Sequence, residues 1–228
     1  MAQIDPGPQT FQENYKLMTG LVVPRPIAWI TTLSPEGKVN LAPFSAFTFC
    51  AHKPPMVTIT AGLHEYDRKG QMKDTVVNIL RNREFVVNIA NRSLLRPLHA
   101  SSAEYPAGQS EVEALGLETC ASAAVKTPRI AAAPAALECR LHSTIELGEE
   151  GERIVIGRVL MFQIADHLLR NGKVDTRELD PVARLGGPNY ATFGDIVTMP
   201  AAEVIVAPSS SADDPFYADR QEGFHETR

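Results

Sequence analysis

Residues Pro24 to Pro55 read PRPIAWITTLSPEGKVNLAPFSAFTFCAHKPP, and the fold class follows from them. Ile27-Ala28-Trp29-Ile30-Thr31-Thr32 is dense in β-branched and aromatic side chains, which suit a pleated sheet interior. Ser34-Pro35-Glu36-Gly37 then carries turn chemistry. The stretch predicts a hairpin whose return strand runs through Asn40 to Ser45-Ala46-Phe47-Thr48. Met56 to Thr60 reads as a third strand, and three strands in succession predict a meander.

Working outward, Phe11 to Met18 reads as a short helical lead that covers one end of a barrel, and Ala61 to Gly70 as a polar loop holding His64, Tyr66, Arg68 and Lys69. Lys73 to Asn82 predicts a short helix, with Asp74 or Thr75 as N-cap and Val76, Ile79 and Leu80 on one face. Glu84 to Ala90 alternates as a fourth strand should, so the helix before it packs across the sheet. Asn91 to Ser102 is helical as far as Pro97 allows, and Gln109 to Leu117 is a further short helix. The alanine-rich segment 131–136 is broken by Pro134 and reads as a connection. Leu137 to Leu147 and Arg153 to Ala165 predict a second hairpin around Glu149-Glu150-Gly151. Arg184 to Tyr190 is a glycine-bearing loop, and the Ser- and Asp-rich segment after Pro208 has a linker's composition. The expected organisation is one domain over residues 1–207 and a polar tail over 208–228.

Composition narrows the classes of function. With 44% hydrophobic and 21% charged residues, the 228-residue chain has the composition of an ordinary globular protein. A formal net charge of −5 without a Lys/Arg cluster argues against nucleic acid as a partner, while leaving anionic small ligands open. No apolar run approaches the ~20 residues of a membrane span. Cys50, Cys120 and Cys139 are widely spaced and form no CxxC pair, so a reducing cytoplasm is expected, and Met1 to Gln12 lacks the pattern of a secretory signal. The histidines fall into no HxH or HxxxH spacing, so no metal site is expected. No GxSxG elbow, dinucleotide fingerprint or P-loop is present either.

Three groups of residues carry chemistry. Lys73-Asp74-Thr75 opens a helix, where unpaired N–H groups and the positive dipole end meet a cation and a hydroxyl. That is an anion site in outline, although an ordinary capped surface helix reads the same way. Thr31, Thr32, Ser45 and Thr48 place hydroxyls in apolar strands, where they serve either a ligand's heteroatoms or the strand itself. Tyr190 and Trp29 suit stacking on a planar ring, and Trp29 equally suits a core.

Taken in order, PRPIAWITT, GKVNLAPFSAF, KPP, KDTVVNI with EFVVNIA, and RLGGPNYA resemble the flavin reductase-like, FMN-binding split-barrel family, in its flavoredoxin branch. The resemblance spans about Pro24 to Ala191 and implies a mainly β fold with short helices, a six-stranded Greek-key split barrel. It further implies a homodimer with FMN near the subunit interface. Carried over by position, Thr31, Thr32 and Ser45-Ala46-Phe47 would line the flavin ring and ribityl chain, with Asn40 nearby. Lys73, Asp74 and Thr75 would hold the phosphate, and Arg184 and Tyr190 would lie near the site. The implied activity is hydride transfer from NAD(P)H to FMN, with electrons passed to free flavin or to a partner such as a monooxygenase. No side chain is implied as catalytic, since the flavin carries the redox chemistry. One departure bears on NAD(P)H: many relatives have a Gly-Asp-His step where this chain reads Gly148-Glu149-Glu150-Gly151-Glu152-Arg153. The alternatives are an electron-transfer protein with permanently bound FMN that makes no direct use of NAD(P)H, and a non-catalytic flavin-binding module.

Overall fold

The computed structural model describes residues 1–199. The chain separates into two units, Met1–Phe193 and Gly194–Arg228. The described part of the second, residues 194–199, has no regular secondary structure. The segment from Ser209 onward lies outside the described residues.

The first unit is mainly β with a few short helices. Its main sheet has seven strands, one more than the six expected. They are β1 (Ala28–Leu33), β2 (Val39–Phe44), β3 (Phe47–His52), β4 (Pro55–Ala61), β5 (Glu84–Ile89), β6 (Ala135–Leu147) and β7 (Glu152–Ile164). The spatial order is β2-β1-β5-β6-β7-β4-β3, antiparallel throughout. The expected return strand is therefore two strands. β2 pairs with β1, while β3 pairs with β4 at the opposite edge, so the expected three-strand meander is not formed.

Only Ser45 and Ala46 join these two edge strands. Laid flat, the outer strands of such a sheet would stand about 29 Å apart at ~4.8 Å per strand spacing. The link reaches about 10 Å. The sheet must therefore curl until its edges approach, and no ladder of hydrogen bonds closes the seam between β2 and β3.

Curling buries both faces of the central strands. Along β1 and β5, Ala28, Ile30, Phe85 and Val87 point into one cluster with Ile59, Val76, Ile79, Cys139 and Val155. The intervening Trp29 belongs to a second, outer cluster with Leu41, Leu94, Leu98, Val112 and Ile130, as the two-residue period of a strand requires. Gly157 on β7 serves the inner cluster by its lack of a side chain. A Cβ there would stand 2.4 Å from the Phe85 ring, which is itself fully buried.

α1 (Phe11–Leu21) has no buried residue, while α2 (Asp74–Asn82), α3 (Leu95–Ala100) and α4 (Glu111–Ala114) lie against the sheet, and a further short helix spans Thr176–Leu179. α1 opens with a capping box in which Thr10 and Glu13 exchange hydrogen bonds. α2 presents Thr75, Val76, Asn78 and Ile79 to the sheet. Pro97 does not end α3. It sits in the first turn, where no backbone N–H has an intrahelical acceptor to lose.

Candidate functional site

A cavity of about 410 Å³ opens where α1, β2, the start of α2, the loops 64–68 and 101–105 and the loop 184–190 meet. That size is ordinary for a small-molecule site. Its lining includes apolar residues such as Ile27, Ala42, Pro43 and Leu98, and many of the others are polar or charged.

Of the expected site residues, Asn40, Ser45, Lys73, Asp74, Thr75, Arg184 and Tyr190 come together on this wall. The start of α2 is its centre. Lys73, not Asp74 or Thr75, is the N-cap, and among the described residues no side chain caps the helix. The open N-terminal end therefore faces the cavity beside the Lys73 ammonium. Thr75 is 1% exposed, and its hydroxyl accepts from Asn40 Nδ2 at 2.9 Å, which leaves its own O–H to donate.

Asp74 faces a cation rather than holding an anion. Both of its carboxylate oxygens accept from Arg68 Nη1, at 2.7 and 2.8 Å, and Arg68 Nη2 reaches the Tyr105 carbonyl at 3.2 Å. Arg68, which no motif pointed to, is thus fixed on the cavity wall five residues before Lys73. Arg25 is a second unforeseen cation. Its Nη1 donates to the carbonyls of Thr19 and Val22, its Nη2 to Leu185 and its Nε to Ser45. It ties the end of α1 to the loop 184–190 and to the β2–β3 link, so four of its five N–H donors are already used. Within that loop Arg184 lies over the Tyr190 ring, 4.7 Å from its centre, and donates to the Tyr190 hydroxyl at 2.6 Å. The same hydroxyl stands 3.0 Å from His99 Nδ1.

Thr31, Thr32, Ala46 and Phe47 are not brought to the cavity. Thr31 is fully buried on the outer face and donates to the Pro128 carbonyl at 2.7 Å. Thr32 is fully buried on the inner face, where it accepts from Asn78 Nδ2 of α2 at 3.1 Å. Their hydroxyls satisfy the fold. Ala46 is exposed and its carbonyl accepts from the Thr60 N–H at 2.8 Å, while Phe47 packs on the inner cluster. The expected wall of the ring and ribityl chain therefore shrinks to Asn40, Ser45 and the apolar lining residues.

Sequence reasoning also passed over Glu111, placed by the four-residue α4. It is 7% exposed and accepts the Leu41 N–H at 2.8 Å. Burial lifts its carboxyl above the usual carboxylate range against that hydrogen bond, and the nearby Asp74 charge adds to the lift. A carboxyl raised in the fold contributes stability that is fully present below its unfolded pKa and lost as pH rises through its folded pKa. Glu111→Gln keeps an acceptor for Leu41 and removes the titration. The melting temperature of the variant is thus expected to gain on wild type from about pH 4 to pH 7. A difference that stays constant across that range would count against a raised carboxyl at this position.

The donor set fits a phosphate ester joined to a planar ring. An uncapped helix end, Lys73, Arg68 and Thr75 have the chemistry of anion ligands, and apolar residues such as Ile27 and Leu98 suit an aromatic body. Among the described residues no group of three or more His, Cys, Asp and Glu could hold a metal ion, and no helix is long and apolar enough to cross a membrane.

Comparison with known proteins gives this geometry a context. Residues 19–179 match the family described as the Flavin reductase like domain. An uncharacterised protein of Halalkalibacterium halodurans is 36% identical over 203 residues, covering 86% of this chain and 95% of that one. The crystal structure of nitrilotriacetate monooxygenase component B from Bacillus cereus superposes with a TM-score of 0.83 at 35% identity, covering 87% of this chain and 98% of that one. The structure of 2-nitrobenzoate 2-nitroreductase from Pseudomonas fluorescens gives 0.81 at 30% identity, covering 92% and 100%.

Proposed function

Because the chain belongs to the Flavin reductase like domain family, we propose that its cavity binds FMN and that it is an NAD(P)H-dependent flavin reductase. The carrying observation is the uncapped start of α2, which opens on the cavity between Lys73 and the clamped Arg68. Lys73, Thr75 and Arg68 would hold the phosphate, Asn40 and Ser45 the polyol, and apolar residues such as Ile27 and Leu98 the ring. Bound there, the flavin supplies two-electron redox chemistry. The protein's residues orient it, neutralise its phosphate and shield one side from water.

Lys73→Ala and Thr75→Ala are each expected to weaken FMN binding by about 1–2 kcal/mol, roughly five- to thirtyfold, for a lost charge-assisted hydrogen bond. Quenching of flavin fluorescence measures this, and unchanged affinity in both variants would remove the phosphate assignment. FMN that neither co-purifies nor binds at micromolar concentration would end the flavin reading altogether. Oxidation of NADH or NADPH by the pure, flavin-loaded protein separates a reductase from an electron-transfer protein that never meets the nicotinamide. The likeness to a component B of a monooxygenase supports a monooxygenase as the consumer of the electrons. Three free thiols, Cys50, Cys120 and Cys139, favour the reducing cytoplasm as its place of work.

The assembly we propose is a homodimer through the β3 edge. There Phe49 and Phe162 are 65% and 53% exposed and flank an apolar groove with Phe47, Met56 and Val159. A contiguous apolar patch beside an unpaired strand edge suits a second copy of itself. Phe49→Asp is expected to shift the mass measured by light scattering from two chains to one, and a monomeric wild type would dismiss this face as the interface.

A further inference from the structure

We propose that His64 reads the phosphate of the bound flavin, donating its Nε2–H to it while Glu104 holds the opposite edge of the ring. The inference rests on the FMN reading above and adds a residue outside the Lys73-Asp74-Thr75 start of α2. The His64 side chain is 7% exposed and lines the cavity. Its backbone is folded against the segment that enters α2. The His64 N–H donates to the Gln71 carbonyl at 2.9 Å, Gly70 donates back to the His64 carbonyl at 3.0 Å, and Leu63 bridges to Met72. Nδ1 contacts the Glu104 carboxylate, whose other oxygen accepts the Tyr66 N–H at 3.2 Å.

Nε2, by contrast, is buried and has no hydrogen-bond partner among the described residues. A buried polar edge without a partner is costly in a folded protein, and an acceptor brought into the cavity removes that cost. The neighbouring charges say which acceptor. Arg68 on the same loop and Lys73 at α2 are cations, and Asp74 is already occupied by Arg68. Glu65 on the loop, Glu104 after α3 and Glu111 on α4 complete the ionisable carboxyls, with Tyr66 and Tyr105 as phenols. With Glu104 against Nδ1, Nε2 is the edge left for a ligand, and beside these cations an oxyanion such as a phosphate is the ligand that best accepts from an N–H there.

Riboflavin, which lacks the phosphate, cannot make this contact. The test is measurement of FMN and riboflavin affinity by flavin fluorescence at neutral pH, on wild type and on His64→Gln. In His64→Gln the FMN-to-riboflavin affinity ratio should be about tenfold lower than in wild type, with riboflavin affinity unchanged. A variant that keeps the wild-type ratio, or loses both flavins equally, overturns the proposal while leaving the FMN reading in place. A wild type that binds neither flavin, or both equally, removes the FMN reading and this inference with it.

Discussion

An Arg68→Ala chain is expected to bind FMN roughly 30- to 150-fold more weakly than wild type, a loss of about 2–3 kcal/mol. Two effects add. The guanidinium, whose side chain is only 17% exposed, lines the cavity wall and in the proposed function is a direct ligand of the phosphate. Its removal also leaves the Asp74 carboxylate, 39% exposed in its side chain, without its partner beside the place where the phosphate would sit. The loss should therefore exceed that of Lys73→Ala, which strands no anion. Asp74→Asn provides the contrast. It frees Arg68 and removes a negative charge, so FMN affinity is expected to change by less than about tenfold. Titration of flavin fluorescence at moderate salt distinguishes these outcomes. An Arg68→Ala affinity within threefold of wild type would show that the guanidinium serves only to hold Asp74 and the Tyr105 carbonyl.

The second large effect concerns the fold. Glu138→Ala is expected to lower stability by about 3 kcal/mol, which for a chain of this size is roughly 6–12 °C in melting temperature. Glu138 lies on β6, fully buried. Its Oε1 accepts from the Ala123 N–H at 2.9 Å and from Gln163 Nε2 at 2.7 Å, and its Oε2 accepts from the Ala124 N–H. Alanine removes the shared acceptor of these three donors from a fully buried position. The neighbouring β5 contributes a parallel device, since Glu84 Oε1 accepts from the N–H groups of Lys126 and Thr127 at 2.8 and 2.9 Å. Together the two carboxylates hold the loop 123–127 on the sheet.

Burial pushes the Glu138 carboxyl up, but the N–H groups around it outweigh burial, and the net result lies below the usual carboxylate range. A depressed carboxyl contributes stability above its unfolded pKa and loses it as pH falls through its folded pKa. The wild-type advantage over Glu138→Ala should therefore shrink in acid, below about pH 4. Urea midpoints at pH 7 and pH 3 test both statements, and equal midpoints at pH 7 would refute the role of the carboxylate.

How far these features were legible in the sequence differs with their range. The helix over Lys73 to Asn82, the strand over Glu84 to Ala90 and the hairpin around Glu149-Glu150-Gly151 all stand close to where local pattern places them. Asn40, Ser45, Lys73, Asp74, Thr75, Arg184 and Tyr190, singled out by the resemblance their motifs carry, line one cavity. Thr31 and Thr32 mark the limit. Their strand was clear, but their hydroxyls meet Pro128, 97 residues on, and Asn78, 46 residues on.

By itself the sequence determined the class of the protein: alternating β-branched strands, short helices between them, and a helix start with the chemistry of an anion site, all set by interactions within a few residues. Only the tertiary structure decided that Ser45-Ala46 bridges the two edges of a curled seven-stranded sheet. It alone showed that Asp74 clamps Arg68, and that His64 reaches the cavity with one edge of its ring unpartnered. The reason is physical. Propensity and periodicity act along the chain, whereas strand partners, charge pairs and the surroundings of a buried ring depend on which distant segments close packing brings together.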